Sequence, residues 1–154
     1  MATNANAPGE DLAKNFEGCE LEAYWDPNGN CWTIGWGHTG PEVVQGLVWT
    51  QEQADAALDQ DQAAARSCVA AHVTAPLTDD ERGALVDFVF NEGCGRFAAS
   101  TMLRKLNAYD YQGAAAEFER WDYAGGRQVA GLLRRRQAEE TLFNQPDTSS
   151  GSQV

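Results

Sequence analysis

No stretch of this sequence approaches the about eighteen consecutive apolar residues of a membrane-spanning helix. Its start, MATNANAPGEDLAKN, has no basic patch followed by an apolar segment, so it reads as neither signal peptide nor anchor. On that reading the chain is cytosolic where it is made, with no stable membrane association. Basic residues are also scarce: 11 Lys and Arg stand against 23 Asp and Glu, a net charge of -12. Binding to a phosphate backbone is driven by Lys and Arg, so nucleic acid is disfavoured as a partner. The 4 cysteines, Cys19, Cys31, Cys68 and Cys94, lack the paired CxxC spacing of a zinc site and are too few for a disulfide-built scaffold. Neither a metal nor a cofactor is expected. The cysteines are small buried thiols, or one of two pairs closes, Cys68 with Cys94 or Cys19 with Cys31; spacing does not decide between these. There is no internal repeat.

What is present suits a compact fold. A chain of 154 residues, 43% of them hydrophobic and 22% charged, is long enough to bury one core without staples. Helical spacing of Leu12, Ala13 and Phe16 predicts a short helix from Gly9 to Glu17 that stops at Gly18. Leu21 to Trp36 is rich in Tyr, Trp, Thr and Ile and is broken by DPNGN, which predicts a hairpin, the chain's only β structure. Thr50 with Gln53, and Thr78 with Glu81, carry the reciprocal capping signature. They open helices through Ala71 and through the apolar run from Ala84 to Phe90. Ser100 or Thr101 and Asp110 cap two shorter helices, Gly125-Gly126 ends the second, and a last helix runs from about Leu132 to Leu142.

The expected architecture is therefore α+β, with a small hairpin lobe (about 18–49) beside a larger all-helical lobe (50–145) and a cleft between them. Residues 1–8 are expected to be a flexible N-terminus. The polar end 146–154, from the QPDTSSGSQV segment, is expected to be a disordered tail.

Chemistry concentrates in Phe16 to Thr39. Glycosidic hydrolysis needs a proton for the leaving oxygen and a second group that attacks the anomeric carbon or directs water to it. Glu17 at a helix end is the candidate acid, with partial burial to keep it protonated. Asp26 on a solvated turn remains ionised, and the Thr33 hydroxyl can orient a water with it. Alone, each has a plainer explanation, since Asp26 before Pro27-Asn28-Gly29 is ordinary turn chemistry and Thr33 an ordinary strand residue.

FEGCELEAYWDP, CWTIGWGHTG, PLTDDERGALVDFVFNEGCGRFAASTMLRKLN and GGRQVAGLLRRRQAEETLF occur in an order that resembles the phage-type lysozymes, or endolysins, of glycoside hydrolase family 24, over about Leu12 to Phe143. The resemblance implies a lysozyme-like fold. It also implies metal-free hydrolysis of the β-1,4 bond between N-acetylmuramic acid and N-acetylglucosamine in bacterial peptidoglycan, with inversion. Glu17 would be the proton donor, and Asp26 with Thr33 would position the water. It further implies a monomer made in the host bacterial cytoplasm and passed to the wall by a holin-type membrane protein. His38, in the GHT motif, is expected to be a structural ion-pair partner rather than a base. Trp32 and Asn91 are candidates for substrate binding or support of the site.

The Asp26 to Thr33 interval is one residue longer than is common in that family. A bulge within Asn28 to Cys31 would keep Thr33 facing Asp26, whereas a register slip would turn it away; the intact TIGWGHT that follows makes the bulge the expectation. The alternative function is a catalytically impaired homologue that binds peptidoglycan.

Overall fold

A computed structural model of the chain describes residues 4–124 and 126–146. Helix α1 (Ala7–Phe16) is followed by a three-stranded antiparallel sheet of β1 (Glu20–Asp26), β2 (Cys31–Gly35) and β3 (His38–Thr39), in that order. Then come α2 (Gln51–His72), α3 (Asp79–Glu92), α4 (Cys94–Ala98), α5 (Thr101–Asn107) and α6 (Tyr111–Glu117), with a 3-10 turn at Phe118–Arg120. A second hairpin, β4 (Tyr123–Ala124) and β5 (Arg127–Gln128), precedes α7 (Ala130–Phe143).

Both predicted capping boxes are formed. Thr50 and Thr78 accept from the amides of Gln53 and Glu81, whose side chains accept in return from the amides of Thr50 and Thr78. Ser100 and Asp110 cap α5 and α6 in the same one-directional way. The segregated α+β arrangement holds, with three corrections. The helical lobe is not all-helical, because the chain between α6 and α7 turns through β4 and β5; strands of two residues are too short to show alternation. The first helix starts at Ala7, inside the stretch expected to be flexible, because Pro8 fits the first turn, where an N–H has no helical partner anyway. A short helix, α4, was also unforeseen in the glycine-bearing turn after α3. Residues 1–3 of the expected flexible start, Gly125, and residues 147–154 of the expected tail lie outside the described residues.

The core surrounds α3. Phe88 is fully buried and meets Phe97, Phe118 and Trp121 edge-on. Each such aromatic pair adds about 0.5–1.5 kcal/mol beyond the area it removes from water. Helix α1 crosses α3 at a glycine contact. A Cβ on Gly83 would stand 2.7 Å from the Pro8 Cβ and 2.9 Å from the Gly9 amide nitrogen, so only glycine permits this approach. That contact seats the start of α1, whose far end leads into Glu17, against α3.

Cys68 on α2 is bonded to Cys94 at the start of α4, 26 residues apart, while Cys19 and Cys31 are free. Closing a loop of that length removes about 3.5 kcal/mol of denatured-state entropy in the chain-entropy model. Reduction of the purified protein is expected to lower Tm by on the order of 10 °C. Scanning calorimetry with and without a thiol reductant checks this, and an unchanged Tm would contradict it.

Candidate active site

Strand β1 carries two more residues than β2 opposes. Glu20 pairs with Gly35, yet Tyr24 pairs with Thr33, Trp25 with Trp32 and Asp26 with Cys31. The irregularity thus lies at Leu21–Ala23 and not in the turn. There the backbone also bonds the opposite side, with Ala23 N donating to Leu47 O (2.9 Å) and Trp49 N to Leu21 O (2.8 Å). The lengthened turn, 27–30, is absorbed by Asn30 in the left-handed region (φ 55°), which asparagine tolerates. Pairing resumes at Asp26 and Cys31 with no slip.

Directly paired residues share a face, as do alternate residues along a strand. Asp26, Tyr24, Cys31 and Thr33 therefore project together, and Trp25 and Trp32 project from the other face. Thr33 is buried, with its hydroxyl 3.9 Å from the Cys31 sulfur. Asp26 Oδ1 accepts from the Asn28 amide (2.9 Å), the turn chemistry foreseen for it, which leaves Oδ2 on the side of Gly29 and Cys31. Trp32 stacks edge-on against Trp25 at 5.8 Å, behind the sheet relative to Thr33. It is not brought together with the acids.

Glu17 terminates α1 in an extended conformation. Partial burial is only a small part of its environment. Oε2 accepts from Arg135 Nη1 at 2.9 Å, and Gly37 presses from the hairpin side, where a Cβ would lie 2.7 Å from Oε1. The phenol of Tyr24 reports both acids: burial and then the charges of Asp26, Glu17 and Glu20 push its pKa up. Tyr24 thus sits within electrostatic reach of Glu17 and Asp26. It was not singled out from sequence, although its alternation with Asp26 on a strand was a usable signal.

Arg135 and its partners were also missed. Arg135 places Nε and Nη2 on the two oxygens of Asp87 (2.9 and 2.7 Å), a bidentate fork, and its third nitrogen on Glu17. Asp87 lies in α3 and is fully buried. Burial alone would raise its pKa, but hydrogen bonds with Glu139 and Arg135 and the charges of Arg135 and Arg136 hold it below the usual range. Glu139, equally buried, is pushed well above that range, by desolvation first and then by Asp87. A neutral Glu139 donating to an ionised Asp87 satisfies both. The sequence signal was one acid inside the apolar run ALVDFVF, since an isolated buried charge is costly unless paired.

Asn91 accepts from Arg136 Nη2 (2.7 Å), and Glu92 accepts from Nη1 (2.7 Å), so this turn ties α3 to α7. His38 bridges the lobes: Nδ1 meets Asp61 on α2 and Nε2 meets Glu42, both at 2.7 Å. Both nitrogens are occupied by carboxylates. Burial pulls its pKa down, but the two carboxylates more than offset this and leave it raised.

Glu10 is raised to about 7 by burial and then by Asp59, and Glu140 to about 7 by burial and then by Glu119. A pKa raised in the folded state means that the fold holds the proton more tightly than the unfolded chain. That stabilisation is complete below the unfolded value and is lost as pH rises through the folded one. Glu10 and Glu140, with an ordinary value of 4.5, lose theirs up to about pH 7, and His38 loses its share above its ordinary 6.5. Tm is therefore expected to fall steadily from pH 5 to pH 8; a rise over that interval in thermal melts would contradict this.

The chain is similar to known proteins in both sequence and fold. A family model described as phage lysozyme matches residues 14–139. An endolysin of Acyrthosiphon pisum secondary endosymbiont phage 1 is 43% identical over 136 residues, 86% of this chain and 92% of its own. A SAR-endolysin of Enterobacteria phage PA-2 is 38% identical over 127 residues, 82% of this chain and 76% of its own. Among solved structures, the muramidase domain of SpmX from Asticaccaulis excentricus aligns with a TM-score of 0.83 and 35% identity, covering 94% of this chain and 100% of that one. The endolysin from Escherichia coli O157:H7 phage FAHEc1 aligns with a TM-score of 0.83 and 31% identity, covering 94% and 95%. This chain belongs to the phage lysozyme family, the glycoside hydrolase family 24 type of endolysin. It is a glycoside hydrolase that acts on peptidoglycan.

Proposed function

We propose that the chain cleaves the β-1,4 bond between N-acetylmuramic acid and N-acetylglucosamine with inversion, and that it serves bacterial lysis. The observation that carries this reading is the β1–β2 register, which puts Asp26 and Thr33 on one face in spite of the longer turn. Glu17 gives its proton to the leaving oxygen. Asp26 takes a proton from a water that the Thr33 hydroxyl helps to aim at the opposite face of the sugar. Inversion requires room for that water, a carboxyl separation of roughly 6.5–9.5 Å against about 5–5.5 Å for retention. Arg135, anchored on Asp87, fixes Glu17 at the end of α1.

The test is hydrolysis of defined peptidoglycan fragments followed by nuclear magnetic resonance before the products mutarotate. Newly formed α-anomer at the cleaved muramic acid supports the proposal. Only β-anomer would overturn inversion, and the absence of new reducing ends would overturn hydrolysis of that bond. Release to the wall by a separate holin-type protein belongs to the same proposal. Among the described residues no helix is long and apolar enough to cross a membrane. Lysis on expression of this chain alone, with no permeabilising partner, would overturn that part.

A further inference from the structure

We propose that Cys68, His72 and Cys94, once the disulfide between the two cysteines is reduced, bind a soft divalent cation of the zinc type, which then joins α2 to α4 in place of the covalent bond. The ligand atoms of these three side chains all lie within 4.8 Å of one another. Cys68 and His72 stand four residues apart on α2, on one helical face, and Cys94 comes to them from the far end of α3. The Cys68 sulfur and the His72 Nδ1 are 3.7 Å apart. In a tetrahedral site with Zn–S of about 2.3 Å and Zn–N of about 2.05 Å, two such ligands stand about 3.5 Å apart, so this edge is already close to its required length. Two thiolates and an imidazole are the donors that zinc prefers over hard cations.

The surroundings support the assignment. His72 is in the last turn of α2, at the negative end of the helix dipole, which favours a cation. Its position is fixed by Asn107, which donates to His72 O (2.9 Å) and accepts from Thr74 N (2.8 Å). Nδ1 now lies 2.9 Å from Cys68 O. In the metal-bound state that contact is given up, the ring proton sits on Nε2, and the Nδ1 lone pair faces the ion. Cys68 is buried and Cys94 exposed, so the fourth position opens to solvent on the Cys94 side. The three ligands span a 26-residue separation across α3, which is why no CxxC spacing announces them.

The chemistry balances with a thiol as reductant. Two thiol molecules supply two electrons and two protons, the S–S bond breaks into two cysteine thiols, and the reductant leaves as its own disulfide. Metal binding then displaces the two thiol protons. A chain made in a reducing compartment would hold the metal; outside it, exchange with a small-molecule disulfide, which takes the two electrons and two protons and leaves as two thiols, would form the Cys68–Cys94 bond and release the ion.

The test uses the full chain with Cys19→Ser and Cys31→Ser, reduced by a phosphine, freed of metal and titrated with Co²⁺. A thiolate-to-cobalt charge-transfer band that saturates at one ion per chain, is abolished by Zn²⁺ and is absent from the oxidised protein is expected. Removal of even an outer-shell partner lowers metal affinity about 10- to 100-fold, so His72→Ala should weaken binding by at least that much. Zn²⁺ should also raise the Tm of the reduced protein. The proposal is overturned if the reduced protein gives no such band, or if the band is the same in His72→Ala and Cys94→Ser. Should Cys94→Ser fail to fold, the His72 variant and the oxidised parent decide alone.

Discussion

Replacing Glu17 by Gln is expected to lower peptidoglycan turnover about 10³-fold, within the range that a positioned general acid contributes. The substitution keeps the shape and an acceptor oxygen for Arg135 Nη1 but removes the transferable proton. Glu17 is partly exposed, so its contact with Arg135 is screened and contributes little to the fold. The melting temperature should therefore move by no more than about 2 °C. Reducing-end release from purified peptidoglycan, read beside a thermal melt, separates lost chemistry from lost structure. Retention of more than about a tenth of the activity would remove Glu17 from the role of acid.

Arg135→Met is expected to destabilise the protein by about 3–5 kcal/mol, because Asp87 is left as an unpaired charge where no water reaches it. The second variant in this argument is Arg135→Met with Asp87→Leu, which removes both charges. Buried ion pairs replaced by apolar residues of similar volume are often neutral in stability, so the double variant should recover most of the loss in denaturant unfolding. Activity should not recover with it, since Glu17 still lacks the nitrogen that orients it. Misplacing a reacting group by about 1 Å costs on the order of 10²-fold. A double variant as active as wild type would show that Arg135 serves the fold and not the acid. Arg135→Lys should also fail, because an ammonium lacks the planar fork that holds Asp87 at two points while reaching Glu17.

These variants also mark what could be read in the chain and what could not. The helix starts at Thr50, Thr78, Ser100 and Asp110 were legible because a cap is written within four residues of sequence. The hairpin around DPNGN was legible for the same reason. The extra turn residue is taken up where expected, by Asn30, but a second irregularity, where Leu21–Ala23 bonds to Leu47–Trp49, was not foreseen because its partners lie far along the chain. The Arg135 to Glu17 contact joins residues 118 positions apart, and no local pattern encodes it. In sequence the arginines of α7 look like ordinary surface charge, yet Arg135 and Arg136 point inward, each matched to acidic side chains from α3 and from α7 itself. The pairing of Cys68 with Cys94 likewise depended on how α2 and α4 meet across α3, which spacing leaves open.

The approach of Gly37 to Glu17 has a mechanical meaning. At that point the hairpin meets the acid with bare backbone, in a conformation (φ +82°) that only glycine adopts easily. No side chain stands between them to rotate away, so the gap at this end of the cleft does not widen by rotamer change. The other oxygen of the Glu17 carboxyl is held by Arg135. The Glu17 carboxyl is thus held from two sides, by bare backbone of the hairpin and by a guanidinium of the helical lobe.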